Sequence, residues 1–262
     1  MWGVADDVGH CDQCPAMRWF TFFREPRARA LSAYAYCHAI HGHDPICKQG
    51  SQLSKRDACT FFRTWGSYQH AKMTHLPLNP DAYANNSEMS AALGAPSVRC
   101  LQRVVRNYTG LQLRVSDSNY LRLHMMRQCG LDVPSTLHGR RLLDLSVASI
   151  SRRFFMVGLV ERWNDSMALL RDLTGCAEWT SIGLSRDAAY RHRSLKRQAA
   201  AGFGGSPRQR GLHNLTEVNA NLTSCEIDVS RAMAADEEIY HEAVRIFERQ
   251  FTAWKNLNAP LR

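Results

Sequence analysis

The chain has 262 residues, 45% of them hydrophobic, and a formal net charge of +9. Such a length buries a substantial core, and such a composition excludes an intrinsically disordered chain. The positive excess points to an anionic partner; nucleic acid, an acidic glycan and a phosphorylated nucleotide all fit the sign.

The chain reads as one domain over residues 1–262, opening on an irregular segment, 1–16. Met1–Gly9 carries two aspartates and no apolar core, so it does not read as a signal peptide, and no stretch reads as a transmembrane run. Nine cysteines are many for a cytosolic enzyme of this size and suit a lumenal domain with a few disulfides. Cys37 with Cys47 or Cys59 is the expected pairing region, across a short polar loop. Asn85, Asn107, Asn164, Asn214 and Asn221 each begin an N-x-[ST] sequon, in keeping with the same compartment. Cys11-x-x-Cys14 and His41-x-His43 have no completing ligands in view, so no metal is expected.

Trp19–Phe23 is a short apolar and aromatic run, suited to a strand covered on both faces. Pro26 then stands where a helix would begin, its missing N–H harmless at the first position. Glu25 places negative charge at that helix's positive end. Leu31, Tyr34 and Ala35 recur at helical spacing and offer one face to the sheet. Arg24 ends the strand, while Arg29 and Ser32 share a helix face. Guanidinium and hydroxyl beside a helix N-terminus form a candidate phosphate site. The competing reading pairs the arginines with nearby carboxylates and leaves Ser32 in water.

Asp57–His75 reads as a helix with Phe61, Phe62, Trp65, Tyr68 and Met73 on its apolar stripe. Residues 76–96, with three prolines and Gly94, read as a loop. Ser97–Tyr108 and Ser118–Cys129 read as helices, the second closed by Gly130. Arg99, Arg103, Arg106, Arg122 and Arg127 make this region basic, for a polyanion or for solubility. Phe154–Val160 suits a buried parallel strand, followed by a helix capped by Asn164 and ended by Gly175. Glu161 leaves the strand end, where open α/β sheets place ligands; a salt bridge to an arginine is the competing reading. Residues 184–210 form a basic, glycine-bearing loop. Asp236–Lys255 reads as a final helix with Asp236, Glu237 and Glu238 loading its first turn.

Arg24-Glu25-Pro26-x-x-Arg29-x-x-Ser32 resembles the 3′-phosphate-binding motif of the Golgi carbohydrate sulfotransferases, such as the heparan sulfate 2-O- and 6-O- and the chondroitin enzymes. The string FFMVGLVERWNDSMALL resembles a second block of that family, and Asp236-x-x-Ile239-Tyr240-x-x-Ala243-x-x-x-Phe247 resembles its ending. The resemblance implies an α/β fold of P-loop-NTPase-like build, a parallel sheet flanked by helices. It implies PAPS (3′-phosphoadenosine 5′-phosphosulfate) as co-substrate without a metal, and a carbohydrate hydroxyl on an anionic glycan as acceptor. Arg24 and Ser32 would hold the 3′-phosphate with Arg29 in support. Arg193, Ser194 and Lys196 would lie in a late loop over PAPS. Gln69 and Lys72 match positions lining the acceptor cleft, with Glu161 beside the site. His10 is the candidate catalytic base.

The sequence departs from the family in lacking the K-[TS]-G-[GS]-[TS] loop that wraps the 5′-phosphosulfate. The resemblance therefore implies an N-terminally incomplete chain, placed in the Golgi lumen or membrane through an anchor upstream. Two alternatives stay open: a catalytically impaired protein that binds nucleotide or glycan, and a basic nucleic-acid-binding protein. Sequons and cysteines stand against nucleic acid as the partner.

Overall fold

The structure, a computed structural model, describes residues 19–39, 58–83, 87–108, 118–175 and 223–258. It is mostly helical with a small parallel sheet. Strand β1 (Phe20–Phe23) pairs in parallel with β2 (Met156–Leu159), Phe20 opposite Met156 and Phe23 opposite Leu159. Both strands end on the same side of the sheet. Met156–Leu159 is buried throughout, as an apolar strand between layers requires. Two helical side chains bond its outward backbone groups. Gln250 donates to the Phe155 carbonyl (2.9 Å) and accepts the Val157 N–H (3.1 Å). The Ser166 hydroxyl accepts the Leu159 N–H (2.9 Å) and donates to the Leu159 carbonyl (3.1 Å).

Helix α1 (Pro26–Ala39) begins at the proline, as expected. Its face does not lie on the sheet: Ala30, Leu31, Ala33 and Tyr34 pack against Phe61, Phe62, Trp65, Val229 and Met233. The expected helix over 57–75 is two helices, α2 (Ala58–Trp65) and α3 (Tyr68–Thr74). The break lies at Gly66 and Ser67. A Cβ on Gly66 would sit 2.3 Å from the Ala232 carbonyl oxygen, so only glycine allows this approach. Ser67 turns left-handed (φ 62°) and donates to the same carbonyl (3.1 Å).

Residues 76–96 are not a loop throughout. A 3₁₀ turn covers Pro80–Tyr83, and helix α4 runs from Ser87 to Tyr108, broken at Gly94 (φ 72°) ahead of Pro96. Burial of Leu76, Tyr83, Met89 and Leu93 supplies the tertiary energy that outweighs the prolines' local preference. Helix α5 (Ser118–Gln128) is closed by Gly130 (φ 63°), as expected. Helix α6 (Leu137–Arg153) was not anticipated; its N-cap is Thr136, whose hydroxyl accepts the Gly139 N–H (3.0 Å).

A 3₁₀ turn, Val160–Arg162, joins β2 to helix α7 (Trp163–Thr174). Arg162 takes the N-cap position without a side-chain cap, so Asn164 lies inside the first turn instead of capping it. Ser166 of the same sequon is fully buried on Leu159. Helix α8 spans Glu226–Leu257, 32 residues and about 48 Å, starting ten residues before the expected point. It lines both the sheet core, through Ile239, Phe247 and Phe251, and the α1–α2 core, through Val229 and Met233. Two disulfides are formed among the described residues: Cys59–Cys225 ties α2 to the turn before α8, and Cys100–Cys129 ties α4 to the end of α5. Cys59 therefore takes a partner far along the chain, not Cys37. No described helix is long and apolar enough to cross a membrane.

Candidate functional site

The ends of the two parallel strands meet at the turn into α1. Glu25 bends its carboxylate back over that turn, accepting the N–H groups of Arg27 (2.8 Å) and Ala28 (2.5 Å). This cap satisfies two of the helix's orphan donors. The helix N-terminus is thus already occupied by a carboxylate, and an incoming phosphate would not find those amides open. Glu161, at the end of β2, reaches across: one oxygen accepts the Glu25 N–H (2.9 Å), the other the Tyr240 hydroxyl (3.1 Å). Burial, with Glu161 second, pushes the Tyr240 phenol up to about 12. Neither reading of Glu161 from the sequence included this pinning of one strand end to the other.

Gln69 is buried and donates to the Arg24 carbonyl (3.0 Å). Its carboxamide fixes the backbone that presents Arg24. Beneath lies Asp236, whose side chain is 0% exposed. It accepts from the Arg29 guanidinium (2.7 Å), the Gln69 N–H (3.0 Å) and the His70 N–H (2.7 Å). One carboxylate thus caps α3 and neutralises Arg29. Burial pushes its carboxyl above the usual carboxylate range, and Arg29 and the two amides offset part of that. Arg29 also donates to the Trp65 carbonyl (3.4 Å) and lies over the Tyr68 ring (5.1 Å). It is turned inward, whereas Ser32, three residues on, is exposed.

A cluster of cations flanks this frame. Lys72 is half-buried and has no carboxylate partner among the described residues. Burial, then Arg29, pulls its ammonium below the ordinary value. His75 ends α3 in the left-handed region (φ 47°), unusual for a residue with a side chain. Burial, then Arg153, Arg122 and Lys72 around it, hold its imidazole down at about 4, so it is neutral at physiological pH. Its Nε2 is buried without a hydrogen-bond partner. Arg122 is fixed by the Leu76 carbonyl (3.0 Å) and by Asn119 (2.8 Å). The arrangement sets positive charge without a carboxylate partner among the described residues beside an imidazole held neutral, suited to an anion.

Of the residues singled out from sequence, the structure brings Arg24, Arg29, Gln69 and Glu161 into one hydrogen-bonded frame around the turn, with Lys72 beside Arg29. Ser32 makes no bond to this frame. His10, Arg193, Ser194 and Lys196 lie outside the described residues. Two shallow clefts among the described residues lie elsewhere. One of about 350 Å³ is lined by Arg99, Gln102, Arg103, Arg106 and Asn107, and one of about 440 Å³ by Glu248, Arg249, Thr252, Ala253 and Asn256.

Asp236, His75 and Tyr240 were missed as site residues by sequence reasoning, and Arg122 was read only as one of five arginines making a basic region. Asp236 did leave a signal. It falls in step with Val229, Met233, Ile239 and Ala243 on the apolar stripe of α8, where a lone acid calls for a buried partner. No protein-family model, curated protein or solved structure matches the chain.

Proposed function

We propose that the chain belongs to a PAPS-dependent sulfotransferase acting on a carbohydrate hydroxyl, with a P-loop-NTPase-like sulfotransferase fold. One observation carries this reading. The Arg24-to-Ser32 motif occupies the turn from a half-buried parallel strand into a helix, at the sheet end where α/β folds bind ligands. There the Arg24 guanidinium has no partner among the described residues, while Arg29 is consumed by Asp236. In this reading Arg24 offers a phosphate a fork of donors and Ser32 a hydroxyl, while the first helical amides are closed off by Glu25. Lys72, Arg122 and Arg153 add positive charge for an anionic donor or acceptor.

In the reaction, the acceptor hydroxyl oxygen attacks the sulfur of PAPS. The bond from sulfur to the 5′-phosphate oxygen breaks, and its electron pair departs on adenosine 3′,5′-bisphosphate. The hydroxyl proton passes to a base. Positioning and charge stabilisation dominate such in-line transfers.

Arg24→Ala tests the reading by calorimetry with adenosine 3′,5′-bisphosphate. Loss of a charge-assisted bond or two should weaken binding by about 2–3 kcal/mol, roughly 30- to 150-fold. Unchanged affinity in a folded variant, or no binding by the unmodified chain, overturns it. A second reading is favoured by Glu25, whose carboxylate sits on the first amides of α1: a protein that binds nucleotide or glycan without transferring sulfate. Nucleotide binding without transfer to any glycan acceptor would select it.

A further inference from the structure

Helix α4 carries a second basic feature, apart from the β1–α1 turn. Arg99, Arg103 and Arg106 recur at spacings of four and three, all exposed, so they form one row along the outer face. Leu101 and Val105 point the opposite way and are buried in the core shared with α5 and α6. The row spans about 10 Å of helix axis, at steps of roughly 6 Å and 4.5 Å. The arginines, with Gln102 and Asn107, line the cleft of about 350 Å³. No Asp or Glu occurs between Glu88, which precedes the Gly94 break, and Asp117, so the part of the helix that carries the row has no carboxylate of its own. Arg99 and Arg103 have no acidic partner elsewhere among the described residues. The row is also held in place, since Cys100, between Arg99 and Leu101, is disulfide-bonded to Cys129.

We propose that this face of α4 is a docking surface for an acidic polysaccharide, whose successive sulfate or carboxylate groups pair with Arg99, Arg103 and Arg106. The helix fixes where the forked donors start, so only their side chains have to be ordered on successive anions. Two observations select polysaccharide over nucleic acid. Among the described residues the cleft is lined by Arg, Gln and Asn, with no aromatic platform on which bases would stack. The two disulfides belong to oxidising compartments, where acidic polysaccharide is the polyanion encountered. The inference stands on the charge pattern and does not depend on the donor site.

The test measures binding of a heparin oligosaccharide to the whole chain, after enzymatic removal of N-glycans because Asn107 begins a sequon within the cleft. Arg99→Glu with Arg103→Glu should lower affinity about tenfold or more and flatten its salt dependence. The charge-matched control, Arg141→Glu with Arg249→Glu, should lower it less than about threefold. Should the glutamate pair fail to fold, Arg99→Gln with Arg103→Gln should still weaken binding about threefold. Equal losses in the control pair, or no loss in either arginine-row pair, overturn the proposal. So does equally tight binding of single-stranded DNA through the same arginines. Affinity for adenosine 3′,5′-bisphosphate should be unchanged in these variants, which separates this failure from failure of the sulfotransferase reading.

Discussion

Replacing Asp236 by Asn tests whether the frame under the β1–α1 turn is built on a buried charge. The carboxylate is fully buried, and its partner Arg29 is 16% exposed at 2.7 Å. Asn keeps the shape but removes the charge, and its amide group meets donors at one of the two positions the carboxylate served. Arg29 is then left buried and uncompensated, and one α3 amide loses its acceptor. Breaking a buried pair from one side costs about 3–5 kcal/mol. For a chain of this size, that corresponds to a fall in melting temperature of about 6–20 °C. The Arg140–Glu238 pair is the comparator: it has similar geometry (2.8 Å) but is exposed on both sides, and Glu238→Gln should cost under about 1 kcal/mol. Urea unfolding of both variants, with Arg29→Met and the Asp236→Asn/Arg29→Met double variant, completes a cycle. The double variant should cost less than the sum of the single ones. If Asp236→Asn costs no more than Glu238→Gln, the buried-charge account is refuted.

Stability should also fall with acid through His70. Burial pushes its imidazole down to about 4, with the Leu142 backbone offsetting part of that, and both ring nitrogens are buried without a partner in hydrogen-bonding geometry. The folded state keeps it neutral while the unfolded chain takes up a proton below about 6.5. Its contribution is therefore intact above about pH 6.5 and declines by about 3 kcal/mol as pH falls to about 4. His70→Leu should flatten that slope in urea melts at about pH 7 and about pH 5, and an unchanged slope refutes the assignment. Gly66→Ala drives a methyl into the Ala232 backbone at 2.3 Å and should cost about 3 kcal/mol, read as a shift in the urea midpoint at constant slope. Cys59→Ser with Cys225→Ser opens a link across 166 positions, and Cys100→Ser with Cys129→Ser one across 29. Chain entropy predicts losses of about 5 and about 3.5 kcal/mol, so calorimetry should find the first pair less stable.

Elements defined by local chemistry were legible in the sequence. Pro26 set the start of α1, the run around Met156–Leu159 marked the second strand, and Gly130 and Gly175 closed their helices. Partners were not legible, because periodicity reveals which face of a helix is apolar but not what covers it. Leu31 and Tyr34 thus met α2 and α8 in place of the sheet. Residues 76–96 looked like a loop because proline and glycine dominate local preference, yet buried Tyr83 and Leu93 made much of it helical. In the site, the short-range motif from Arg24 to Ser32 could be read directly. Asp236 lies 207 residues from Arg29, and its capping of a different helix depends on contacts that no local pattern encodes. Its neighbours Glu237 and Glu238 led it to be read as one more charge at a helix start, ten residues inside the real one.

Gln250 and Ser166 have a consequence for how the sheet can grow. Between them they imitate a neighbouring peptide along the outer rim of β2. A foreign strand arriving there would have to evict both side chains before finding an open amide, so that rim is closed to templated addition and to the aggregation that exposed rims invite. Any extension of the sheet, by more of this chain or by another molecule, has to be laid down beside Phe20–Phe23.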